Sequence, residues 1–187
     1  MRTILITIIL ILSSYFPALS DVTFEGANNE IVILTGSIEI EELDEMLELM
    51  KAKKPTQIIL DSYGGNIRSA ERLARYINNN NISTYVSEVA VCKSACVILF
   101  LAGKKRLCEG ELGVHQARPS KEMEYDIMIS KVAYKYLQKD MGELVTLLNS
   151  FNTPPFVYEK MFKSYDMYDF SKEEIAQINT VKSLDEM

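Results

Sequence analysis

The residues able to do chemistry in this chain concentrate in positions 91–116, VCKSACVILFLAGKKRLCEGELGVHQ. Here Ser94 stands just before an apolar run, and His115 is the only histidine of the 187 residues. A serine hydroxyl attacks at neutral pH only with a base to take its proton, and an imidazole is suited to that task. Together they point to hydrolysis through a covalent acyl intermediate. Taken singly, Ser94 reads as a helix cap and His115 as a structural histidine; their order, behind a glycine pair, is what makes a site.

The elements that must position them can be read next. Residues 84–91, rich in β-branched side chains, read as a strand. Residues 95–102 form an apolar run whose period alone fits a buried strand or a buried helix. A helix is favoured, because Ser94 would cap its first turn and Gly103 would end it in a left-handed conformation. A hydroxyl at that strand-to-helix turn would lie beside unpaired N–H groups and the positive end of the helix dipole, where an oxyanion is stabilised. Residues 104–108 and 112–115 read as two short strands around Glu109-Gly110-Glu111.

Upstream, Gln57-Ile58-Ile59-Leu60-Asp61-Ser62-Tyr63-Gly64-Gly65-Asn66 carries an apolar strand into paired glycines that open a helix. Glycines there let the backbone approach a substrate closely. The pair lacks the lysine and spacing of a phosphate loop. The series of strand, S-x-G-G, helix, strand, serine at a helix mouth, hairpin and histidine resembles the proteolytic subunit of Clp protease and the wider Clp/crotonase superfamily. The local C-x-S-A-C…A-G-x-x-R…L-G-V-H pattern is similar to exported Clp-protease-like proteins of bacteria, and the likeness runs over about 31–178. It implies Ser94 as nucleophile, His115 as general base, the backbone N–H groups of Gly65 and Ala95 as oxyanion hole, and Gly64 and Gly65 as substrate-binding residues. The chain departs from the family in carrying Cys92 and Lys93, where small residues usually precede the serine, so a bulkier, charged rim is expected.

The implied third member of the triad is an aspartate lying after a long helix and before a segment of the form S-x-E-E-A-x-x-x-G. Here that segment is Ser171-Lys172-Glu173-Glu174-Ile175-Ala176-Gln177-Ile178-Asn179, with Asn179 in the glycine's place. Asp166 is chosen because its D-M-Y context resembles the exported relatives. Asp169 is the runner-up, and Asp126 trails because it lies in the expected long helix.

The remaining elements follow in order. Residues 22–26 and 30–36 read as strands around an Asn28-Asn29 turn. A helix is expected over 38–52, with Leu43, Met46, Leu47 and Met50 on one face, acids at its start and lysines at its end. Ile67, Ala70, Leu73, Ala74 and Ile77 stripe the helix after the glycines. A long helix is expected over 121–150, with Ile127, Val132, Leu137, Met141, Leu144 and Leu148 as its apolar stripe. A short helix to Lys163 and a closing segment over 165–178 complete the chain. The fold class is α/β, with repeated β-α-β units of the Clp/crotonase type and a mainly parallel sheet flanked by helices. Sites in such sheets form at the carboxyl ends of strands, where Gly64-Gly65 and Ser94 both fall.

Cys92, Cys96 and Cys108 are disulfide candidates, and spacing does not decide which two pair. With His115 they also number a Cys3His zinc set, but C-x3-C-x11-C-x6-H fits no common finger and exported thiols tend to be oxidised. Cys92 or Cys96 as nucleophile is a lesser reading, because Ser94 holds the aligned place. A catalytically inactive Clp-like binding or scaffold domain is the alternative from another class, and acyl-CoA chemistry of the crotonase kind is weaker. No metal and no cofactor are expected.

Met1-Arg2, the apolar run from Ile4 to Leu12, and Ala18-Leu19-Ser20 have the zones of a secretory signal peptide cut before Asp21. The run falls short of the ~20 residues of a membrane span, so membrane association is expected only if this segment stays uncleaved. Residues 1–20 are assigned to the signal peptide and 21–187 to a single domain, periplasmic or secreted. The net charge of −6 argues against nucleic acid or an anionic membrane surface as partner. The expected protein is an ATP-independent serine peptidase acting on short or unfolded polypeptides, and the family likeness implies a homo-oligomer.

Overall fold

The computed structural model describes residues 21–26, 30–41, 43–117 and 127–187. The expected signal peptide (1–20), the Asn28-Asn29 turn, the start of the long helix (121–126) and Asp126 lie outside the described residues.

Strand β1 (Asp21–Glu25) pairs antiparallel with β2 (Ile31–Ile38). β2 continues to Ile38, where a helix was expected to begin, because the next strand holds it. Ile38 pairs with Gly65, and its carbonyl accepts the Asn66 N–H at 2.7 Å. Helix α1 (Leu43–Lys53) therefore starts later and buries Leu43, Met46, Leu47 and Met50, the face its period specified.

Strand β3 (Gln57–Gly65) is the branch point of the fold. Helix α2 (Ile67–Asn79) leaves it through Asn66, whose side chain accepts from Ser69 N at 3.0 Å and caps the first turn. α2 buries Ala70, Leu73, Ala74 and Ile77. Residues 84–91, expected as one strand, are two: β4 (Ser83–Val86) and β5 (Val91–Lys93), parted by a turn in which Ala90 N–H donates to Ser87 O. They part because they pair with different halves of β3. β4 lies against Gln57–Ile59, while Cys92 of β5 lies against Ser62.

Each branch takes one more parallel strand: β6 (Arg106–Cys108) beside β4, and β7 (Glu111–Val114) beside β5. The expected hairpin is thus absent, since its two strands join different branches. A short β8 (Tyr168–Asp169) closes the second branch antiparallel to β7. The result is α/β, with a mixed, mostly parallel sheet flanked by helices.

Helix α3 (Ala95–Ala102) is buried along its whole length against β3, β4, β5, β7 and α2. An apolar surface on every side suits such a place. Gly103 ends the helix at φ −61°, so the expected left-handed terminus is not formed. Glycine is needed there for space: a Cβ would collide with the Thr84 hydroxyl, which donates to Phe100 O at 2.7 Å.

Helices α4 (Ile127–Ser150), α5 (Pro155–Lys163) and α6 (Lys172–Ile178) complete the domain, followed by a 3-10 turn (Leu184–Glu186). α6 carries a capping box between Ser171 and Glu174. Arg106, read in the sequence only as part of a strand, is buried where three helices end. Its guanidinium donates to Leu101 O (2.6 Å), Phe151 O (3.1 Å), Asn152 O (3.3 Å) and Ile178 O (2.9 Å). Carbonyls at helix C-termini carry partial negative charge and lack intrahelical donors, so one cation answers all three ends.

Candidate active site

Ser94 lies between β5 and α3 at φ 54° and ψ −125°. The ordinary left-handed well has positive ψ, so this conformation is sparsely populated for a residue with a Cβ. Neighbours on both sides enforce it. Cys92 and Lys93 are fixed by β7 in register with Leu112 and Gly113, Ser94 N–H donates to Gly113 O at 2.8 Å, and α3 begins at the next residue. The Ser94 side chain makes no capping hydrogen bond, which overturns the expectation of an N-cap.

β3 supplies the opposite wall. Gly64 has φ +101°, and a Cβ on it would come within 2.8 Å of Ala95 N, Lys93 O and Ser94 Cβ. Only glycine lets the strand end close on the serine turn. Its N–H is held by Ser62 Oγ at 3.0 Å, and that buried hydroxyl donates in turn to Gly36 O at 2.5 Å. The Gly65 N–H belongs to the peptide after Gly64, and the Ala95 N–H opens a helix whose first N–H groups have no intrahelical acceptor. The structure thus brings Gly64, Ser94 and Ala95 together, and it presses Gly65 (φ +147°) onto Ile38.

His115 follows β7 directly, one residue beyond the point where the register sets Lys93 against Gly113 and carries Ser94 toward Val114. Parallel neighbours lie about 4.8 Å apart. Strand pairing therefore brings the backbone of His115 near that of Ser94. Its Nδ1 stands 2.6 Å from Gln116 O. A carbonyl only accepts, so Nδ1 carries the proton in this contact and Nε2 keeps the basic lone pair.

The acids divide. Asp169, opposite Gly113 on β8, pairs with Lys93 Nζ at 3.0 Å, and Glu111 pairs with the same ammonium at 2.7 Å. The hydrogen bond that Lys93 donates to Glu111, and then that to Asp169, raises the Lys93 pKa against the opposing effect of burial. The charge expected at the rim of the site is thus matched by two carboxylates. Asp166 lies on the segment after α5, two residues beyond Ser164, whose carbonyl accepts the Gln116 N–H at 2.8 Å.

Cys92 and Cys96 form a disulfide, and Cys108 is a buried free thiol. Burial pushes the Cys108 pKa up to about 12. With two sulfurs joined, the Cys3His zinc set loses two of its thiolate ligands, and among the described residues no group of three metal-binding side chains occurs. Sequence reasoning missed Ser62 and Arg106, although Ser62 stands inside the S-x-G-G motif and Arg106 inside A-G-x-x-R.

No protein-family model matches the chain, and no curated protein matches it.

Proposed function

We propose that this chain is a serine hydrolase of the Clp/crotonase type, an ATP-independent, exported peptidase. One observation carries the reading. Ser94 is held in a strained strand-to-helix turn without a capping bond, its hydroxyl left for other work, one strand away from the only imidazole. Such a turn exposes a nucleophile and lays helix N–H groups beside it. Ser94 attacks, His115 Nε2 takes its proton, and the N–H groups of Gly65 and Ala95 receive the oxyanion. The branching of β3 into two mostly parallel ladders supports the superfamily assignment. Exposed Ile40 and Tyr63 at the ends of β2 and β3 support a polypeptide substrate. Homo-oligomer formation and cleavage before Asp21 belong to the same proposal; sedimentation and intact-mass measurement test them.

A fluorophosphonate is expected to bond to Ser94, and Ser94→Ala and His115→Ala are each expected to abolish labelling and peptide turnover with the fold retained. Unchanged turnover in Ser94→Ala would end the reading. Asp166 is proposed as the carboxylate that takes the place of the Gln116 carbonyl on His115 Nδ1 in the working enzyme, since its segment runs past Gln116. Asp166→Asn then lowers turnover by orders of magnitude with little change in stability. Full activity in Asp166→Asn would leave the Gln116 carbonyl as the group that orients the imidazole.

A further inference from the structure

We propose that the Cys92–Cys96 disulfide is a positioning device for the nucleophile, a covalent clamp that keeps the Ser94 turn in its reactive conformation. The inference rests on the serine-hydrolase reading. The two cysteines bracket Ser94 symmetrically, one on β5 and one in the first turn of α3, with Cα atoms 5.2 Å apart. Both are fully buried, and Cys92 is anchored on each side, against Ser62 of β3 and Leu112 of β7. A conformation at φ 54° and ψ −125° tends to relax toward a common well unless its surroundings over-determine it.

Ser94 has no side-chain cap to hold the turn, and the disulfide joins the residues two before and two after it. A ring this small removes little entropy from the unfolded chain, because disulfide stabilisation grows with loop length. Its effect therefore falls on the turn itself. Cys108 is placed so as not to interfere: it lies on β6 in the other branch, buried, with its thiol kept protonated into alkaline solution. A protonated thiol does not attack a disulfide.

The test compares two preparations of the full chain. One is produced with its thiols reduced. The other is the same material after oxidation, in which Cys92 and Cys96 give up two protons and two electrons to an added disulfide, itself reduced to a dithiol. Intact mass and peptide mapping establish the state of each. Fluorophosphonate modification of Ser94 is then followed against inhibitor concentration, with thermal melting recorded in parallel. The reduced chain is expected to melt cooperatively and to bind the inhibitor equally well, but to be modified about 10- to 100-fold more slowly, with oxidation restoring the rate. A purely structural bond would not split rate from affinity in this way. The double variant C92A/C96A should match the reduced chain.

Equal rates in the two states overturn the clamp while leaving Ser94 as nucleophile. If Ser94 is modified in neither state, the clamp and the hydrolase reading fall together. If the reduced chain and the double variant are both unfolded, the bond acts on the whole domain, and the positioning role is overturned.

Discussion

The two branches that leave β3 are built on opposite terms. On the β4–β6 branch, polar groups are answered by polar groups. Arg106 serves four carbonyls, Thr84 closes the end of α3, and Asn179 clasps the Cys108 backbone from both sides, accepting from its N–H at 2.8 Å and donating to its carbonyl at 3.2 Å. On the β5–β7 branch, Ser94 sits in strained backbone without a cap, and His115 keeps one nitrogen uncommitted by the Gln116 contact. Both branches share β3 and α3, so the first can hold rigid what the second needs strained. Local rules fail where function is expected, and the compensation lies elsewhere in the same core.

Removing the anchor of the quiet branch should therefore have the largest effect on stability. Arg106→Met leaves buried carbonyls at three helix ends without a donor, and a loss of about 3–5 kcal/mol is expected. Urea unfolding measures it. The comparison sharpens if the folded fraction of Arg106→Met still bonds a fluorophosphonate at Ser94, because the branch would then serve stability alone. A loss under about 1 kcal/mol would mean that water replaces the guanidinium without cost.

Cys108 gives a smaller effect on the same branch, confined to alkaline solution. Its folded pKa, about 12, lies above the ordinary 9.0 because burial disfavours the thiolate. Below pH 9 both states hold the proton and the group contributes nothing to the pH dependence. Above it the unfolded chain releases the proton first, so stability falls by about 1.4 kcal/mol per pH unit until the folded thiol also ionises. Cys108→Ala should flatten that part of the stability curve between pH 9 and 11, at a roughly constant cost for the cavity it leaves. An unchanged slope would show that the thiol is hydrated in the folded state.

How far the sequence announced this contrast depended on the range of the forces involved. The burial faces of α1 and α2 were legible because period alone selects Leu43, Met46, Leu47 and Met50, then Ala70, Leu73, Ala74 and Ile77. The buried α3 was legible as a helix, with Ser94 at its mouth. The division of 84–91 into two strands was not, because nothing local distinguishes a residue that pairs with Gln57–Ile59 from one that pairs with Ser62. Arg106 was missed for the same reason: its acceptors stand 5, 45, 46 and 72 positions away. The cap expected of Ser94 was a local inference too. It failed because β7 and α3 fix the turn in a conformation that no cap uses.

That failure supplies the smallest and most discriminating prediction. If Ser94 were a cap, Ser94→Ala would cost about 0.5–2 kcal/mol and Ser94→Gly only a few tenths. With no capping bond to lose, Ser94→Ala should stay within about 0.5 kcal/mol of the parent. Glycine differs from alanine here because it reaches φ 54° and ψ −125° without a Cβ to resist. Release of strain contributes about 1–3 kcal/mol, and the added freedom of the unfolded chain takes back about 0.4–1 kcal/mol. Ser94→Gly should therefore be about 1 kcal/mol more stable than the parent while lacking the hydroxyl that attacks. Urea midpoints of the three proteins, measured with the disulfide intact, decide it. A Ser94→Gly protein weaker than Ser94→Ala would mean that the turn is relaxed, and the contrast between the branches would then reduce to packing. A more stable, inactive glycine variant would show that the strain at this turn is retained for chemistry.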